Sequence, residues 1–112
     1  MKDKKKFYIN GKWVNPIKPK DFDVINPSTE EVCAIISLGS PEDTDLAVKS
    51  AKSSFETWKE TSKQERIKLL EKLLEIYKSK WHEMTDAIST ELGGPKDWCS
   101  ANQTASGAGH IE

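Results

Sequence analysis

The chain has 112 residues, 36% hydrophobic and 31% charged, with 17 basic against 18 acidic side chains and a formal net charge of −1. That is room for one small domain with a modest core, a composition that suits a peripheral layer leaning on something larger. The mixed charge excludes a basic nucleic-acid-binding face, and no apolar run reaches the roughly 18 residues of a membrane span.

The basic cluster Lys2, Lys4, Lys5 and Lys6 reads as a solvated tail over residues 1–6, with no signal-peptide core behind it. Residues 7–14, "FYINGKWV", alternate around Asn10-Gly11. Asn-Gly between short apolar runs is a strong hairpin signal, because both central turn positions need positive φ. Residues 22–38, "FDVINPSTEEVCAIISL", give a second hairpin. Its turn is built on Pro27, which fixes φ, and on Asn26 and Ser28, which can bond nearby backbone.

A helix starts after Ser40 as N-cap, with Pro41 in its first position and Glu42 and Asp43 at its positive end. Val48, Ala51, Phe55 and Trp58 step by three and four along one apolar stripe. Ser62 with Glu65 three residues on marks a second helix by a capping box. Its stripe runs Ile67, Leu70, Leu74, Tyr77, Trp81, Met84, Ile88, widened by Leu69, Leu73 and Ile76, with a bend expected at residues 78–80. Gly93, Gly94 and Pro95 stop it. A third helix of small, polar residues begins near Pro95 or Lys96 and runs unfinished to Glu112. Hairpins thus occupy residues 7–38 and helices residues 40–112.

Few residues invite chemistry. The two cysteines, Cys33 and Cys99, are too far apart in sequence to read as a disulfide framework, and a reducing, cytoplasmic setting follows. Cys33 sits in a hairpin strand and reads as structural. Cys99 falls in a first helical turn, which can make a thiol mildly reactive, but no histidine or carboxylate pairs with it. His82 and His110 stand alone. The "ELGG" at residues 91–94 reads as a helix stop, and "GAG" at residues 107–109 follows no strand, so it is no phosphate cradle.

In this order the segments resemble the N-terminal region of the NAD(P)-dependent aldehyde dehydrogenase family. "FYINGKWV" is similar to its "FINGxW" hairpin and "VINPSTEEV" to its "xNPxTGEx" turn. "SPEDTDLAVKSAKSSFETW" is similar to "DVDxAVxAAxxAFxxW". "RIKLLEKLLEIYKSKWHEMTDAISTELGGP" is similar to "RxxxLxxLxxxIxxxxxxLxxxxxxxxGKP". The tail "PKDWCSANQTASGAGHI" is similar to "GxPxxxAxxAQxxxGxGHI". Each motif alone is weak, but five in order cover nearly the whole chain.

The resemblance implies an α+β piece of an α/β aldehyde dehydrogenase-like fold: two β-hairpins, two amphipathic helices and an incomplete third. Residues 1–112 would be the N-terminal part of the cofactor-binding domain. Family members are several times longer, so the chain reads as a truncated gene product, a pseudogene translation or a deliberately made piece. Their reaction needs a cysteine thiolate in a "GQxC" setting, a glutamate in "ELGGK" and NAD or NADP; neither motif is here. The chain alone is therefore expected to bind no cofactor and to act as scaffold, its partner the remainder of a subunit in cis or trans. The alternative is a binding or regulatory module docking through its helices, even on a full-length family member. A self-standing coiled coil fits less well, because the stripe spans only about three heptads without consistent flanking charge pairs. By the same resemblance the stretch from Gln103 to Gly107 borders the substrate tunnel. A structural monovalent cation would take the backbone carbonyls of Val24 and Ile25 and the carboxylate of Glu91, oxygen ligands that suit a hard cation.

Overall fold

Asn10 and Gly11 have φ of 53° and 72°, the positive values that a two-residue turn matched to strand twist requires. In the computed structural model, which describes residues 2–112, they close strand β2 (Phe7–Ile9) on β3 (Lys12–Val14), pairing Phe7 with Val14, Tyr8 with Trp13 and Ile9 with Lys12. The Tyr8 and Trp13 rings meet across the ladder with centroids 5.3 Å apart and planes tilted by 59°, a pair worth about 0.5–1 kcal/mol.

The second hairpin joins β4 (Asp21–Asn26) and β5 (Glu31–Ser37). Its turn is tied by the Ser28 N–H donating to Asn26 Oδ1 at 2.9 Å and the Glu30 N–H to the Asn26 carbonyl at 2.8 Å. Glu30 takes a φ of 59°. The basic segment expected as a tail carries a strand. Lys2–Lys4 forms β1, parallel to β5 with Lys2 opposite Ala34 and Lys4 opposite Ile36, giving the sheet order β1-β5-β4. Its side chains are all exposed. Strand pairing uses backbone groups alone, so lysines that read as solvated are compatible with it.

Helix α1 (Pro41–Trp58) opens with the capping box of Ser40 and Asp43. Asp43 does more than cap. Its carboxylate accepts from the backbone N–H of Ile17 and of Ser40, both at 2.9 Å, and from Ser40 Oγ at 2.8 Å. It therefore ties the loop after β3 to the start of α1, and it is almost wholly buried. The outward stripe of α1 is uncovered: Val48, Phe55 and Trp58 are exposed.

The Ile17 N–H, then the Ser40 N–H, hold the Asp43 carboxyl below its ordinary value. Lys18 does the same for Glu42 through their ion pair, and the Ser62 N–H for Glu65. A carboxyl depressed in the folded state stabilises the fold above its unfolded pKa, and that contribution is lost as pH falls through the folded value. We expect thermal stability to be level above about pH 5 and to fall below about pH 4. Asp43→Asn, which keeps an acceptor but cannot titrate, will flatten part of that fall. Circular-dichroism melts between pH 2 and 7, in steps of roughly one unit, check this; an Asp43→Asn profile parallel to the unaltered one contradicts it.

Ser62 and Glu65 form the expected second capping box at the start of α2 (Lys63–Ser79). The long apolar stripe does not merely bend. It breaks at Lys80, whose φ of −103° and ψ of 19° leave the helical region, and α3 (Trp81–Leu92) begins anew. Ser79 Oγ donates to the Ile76 carbonyl at 2.8 Å, satisfying one group at the break. Gly93 ends α3 in the left-handed conformation, φ 72°. After Pro95 a short α4 (Lys96–Trp98) passes into a π-helical turn at Cys99–Thr104 and then α5 (Ala105–Ile111).

By contacts the described residues form two units: 2–25 with 32–60, and 26–31 with 61–112. The core of the second centres on Cys99, Thr104, Thr85 and Ala108, all buried. The architecture is the expected mixture of small sheets followed by helices, and among the described residues no helix is long and apolar enough to cross a membrane.

Candidate functional site

The second unit carries an apolar face without a cover. Helix α2 has no buried residue. Ile67, Leu69, Leu70, Leu73 and Ile76 are between 42% and 54% exposed. Ile67, Leu70 and Leu74 form one wall of a hollow of about 300 Å³ whose other side is Ile111 of α5. Isolated exposed apolar side chains are ordinary, but a contiguous face of leucine and isoleucine marks a surface that another surface covers.

Beneath it lies a polar arrangement that positions α5 and the π turn. Tyr77, Trp81 and Thr85 are four residues apart. The Tyr77 hydroxyl donates to the Thr104 carbonyl at 3.0 Å, Trp81 Nε1–H donates to Ser100 Oγ at 2.9 Å, and the Thr85 and Thr104 hydroxyls share a bond of 2.9 Å. All were read from sequence as stripe or helix residues. The signal was the four-residue spacing, but without knowing what lay opposite it could not be distinguished from ordinary packing.

Of the cation ligands the resemblance implied, Val24 and Ile25 lie on β4 in the first unit and Glu91 in the last turn of α3 in the second. The Val24 carbonyl accepts the Cys33 thiol at 3.3 Å. Glu91 is exposed, beside Ile88, Leu92 and Gln103 at a shallow hollow. Among the described residues no three His, Cys, Asp or Glu side chains form a metal cluster. The implied set is of another kind, since only Glu91 would contribute a side chain.

Cys99 is fully buried, in keeping with a structural thiol and not with the mild reactivity that a first helical turn can confer. A Cβ at Gly94 would stand 3.0 Å from its sulfur, so Gly94 packs closely against the thiol. Cys33 is half-buried, and His82 and His110 are exposed. Residues 107–109 lie within α5 and Gly107 faces the Tyr77 ring, a packing role. The "ELGG" stretch is the helix stop expected of it, with the Gly93 N–H donating to the Ser89 carbonyl at 2.9 Å and Ser89 Oγ donating to the Gly94 carbonyl at 2.7 Å.

Residues 13–112 match the family model described as the aldehyde dehydrogenase family. A 3-succinoylsemialdehyde-pyridine dehydrogenase of a Pseudomonas species is 44% identical over 95 residues, which are 85% of this chain and 20% of that protein. A putative aldehyde dehydrogenase of Staphylococcus saprophyticus is 36% identical over all of this chain and 24% of its own length. Among solved structures, an aldehyde dehydrogenase from Bartonella henselae superposes with a TM-score of 0.97 and 52% identity, over 99% of this chain and 23% of that one. An aldehyde dehydrogenase of Pseudomonas syringae, solved with NAD+ and octanal, gives 0.93 and 36%, over 96% and 22%. The chain thus spans between a fifth and a quarter of the length of these relatives.

Proposed function

The chain belongs to the aldehyde dehydrogenase family, and from that membership we propose that it serves as the N-terminal segment of an NAD(P)-dependent aldehyde dehydrogenase subunit. It contributes scaffold, as part of the cofactor-binding domain, in a cytoplasmic enzyme that oxidises an aldehyde to a carboxylic acid. The observation that carries this reading is α2: a helix of 17 residues with an apolar stripe and none of them buried. Such a helix is built to be covered, and the matched relatives have several times more chain with which to cover it.

The relative solved with NAD+ and octanal supports NAD or NADP as the cofactor of the complete subunit. The cofactor supplies the hydride acceptor there. What these 112 residues supply is support for the surface around it. The same reading includes the monovalent-cation role of Val24, Ile25 and Glu91, as the resemblance implies it.

The chain by itself lacks the family's nucleophile and base motifs. We therefore expect the purified chain, with saturating NAD or NADP and an aliphatic aldehyde, to give no turnover above a blank, and calorimetric titration to give no heat of NAD binding. Turnover by the isolated chain overturns the scaffold reading. The uncovered α2 face also suits docking in trans on a full-length relative, and co-purification with an intact relative would favour that regulatory role instead.

A further inference from the structure

The π turn at Cys99–Thr104 is six residues long, whereas such turns are rare and mostly short insertions in α-helices. Its register is visible at its end, where the Ala105 N–H is shared between the Ser100 carbonyl, five residues back, and the Asn102 carbonyl, three back. Within "CSANQT" one local bond supports that register: Asn102 Nδ2–H donates to the Trp98 carbonyl at 3.0 Å, the acceptor an α-helical turn would give to the Asn102 N–H. The remaining cause lies at the two ends. Cys99 has no exposure and sits close against Gly94, where a methyl group would stand 3.0 Å from its sulfur. Thr104 has no exposure either, and two side chains hold it, Tyr77 at its carbonyl and Thr85 at its hydroxyl. Trp81 holds Ser100 between them. Both ends of the turn are thus held by side chains from outside it.

We propose that Tyr77, Trp81 and Thr85 form a register lock that keeps Cys99–Thr104 π-helical, and that this lock decides whether the apolar hollow on α2 exists. An α-helical register removes one residue from the turn, which rotates everything after it by about 100° and moves it by about 1.5 Å. In the locked register α5 presents Gly107 to Tyr77 and Ile111 to Ile67, Leu70 and Leu74. In the α register a side-chain-bearing neighbour, Ser106 or Ala108, replaces Gly107 under the tyrosine, and Ile111 turns away from the hollow. The lock is thus a conformational device that sets the docking face, and it stands whether or not the partner is the one proposed above.

The test is nuclear magnetic resonance on the 112-residue chain, reading couplings across backbone hydrogen bonds. The unaltered chain should show the Ala105 N–H coupled to the Ser100 carbonyl. The double variant Trp81→Phe with Thr85→Val removes two of the three bonds, keeping an aromatic ring at residue 81 and the side-chain shape at residue 85. It should lose that coupling, couple Ala105 to the Ala101 carbonyl instead, and lose Tyr77–Gly107 contacts. Deletion of the exposed Ala101 is the second variant. It removes the surplus residue without touching the lock, so it should give an α turn while Tyr77 and Gly107 stay in contact. Persistence of the Ala105–Ser100 coupling in the double variant overturns the proposal. So does its absence from the unaltered chain, or loss of the Tyr77–Gly107 contact on deleting Ala101.

Discussion

Gly93→Ala is expected to destabilise the chain by about 2–4 kcal/mol. Two independent effects add. Gly93 has φ of 72°, a region that costs an L-residue roughly 1–2 kcal/mol. A Cβ placed there would also stand 2.8 Å from the Ser28 nitrogen, 3.0 Å from Pro27 Cγ and 3.1 Å from Ser28 Cβ. The nearest of these is backbone in the turn of residues 26–31, which cannot yield by a rotamer change. Denaturant unfolding measures the sum, and Gly93→Asn separates the parts, because asparagine tolerates the left-handed region but still carries the colliding Cβ. We expect asparagine to recover less than half of the loss. A change below about 1 kcal/mol for alanine contradicts the packing described.

Gly107→Ala is expected to cost about 2–3 kcal/mol. Its new methyl would stand 2.3 Å from the Tyr77 hydroxyl and 2.9 Å from Cζ. The ring must move, and its bond to the Thr104 carbonyl, now 3.0 Å, breaks. Tyr77→Phe alone loses only that bond, about 1 kcal/mol. In the double variant the lost bond is counted once and the shorter ring relieves the closest contact. The two substitutions should therefore fall short of additivity by about 1 kcal/mol or more. Strict additivity would mean that Gly107 and Tyr77 do not share the contact.

Where the determinant of an element is local, the sequence shows it. Asn10-Gly11, Ser40, Ser62 with Glu65 and Gly93 each act within a few residues, and each does in the fold what its chemistry suggested. Where the determinant is a distant partner, the sequence is silent. Lys2–Lys4 pairs with β5 through backbone groups that every residue possesses. Asp43 reads as an acidic residue at the positive end of a helix, and its bond to the Ile17 N–H depends on a loop 26 positions away. The π turn depends on three side chains from α2 and α3. The candidate site divides in the same way. The 3-4 stripe on α2 is legible as apolar, but that it stays uncovered is a fact of three dimensions.

On the function proposed above, this uncovered face belongs against the rest of an aldehyde dehydrogenase subunit. The most direct measurement is co-expression of the chain with the Bartonella henselae relative from which its matching segment has been removed. The two parts should purify together in equal amounts and regain NAD-dependent aldehyde oxidation. Leu73→Asp, at a position 48% exposed, should abolish both while changing the stability of the isolated chain by no more than about 0.5 kcal/mol. A chain that remains alone beside its would-be partner, with Leu73→Asp making no difference, contradicts it.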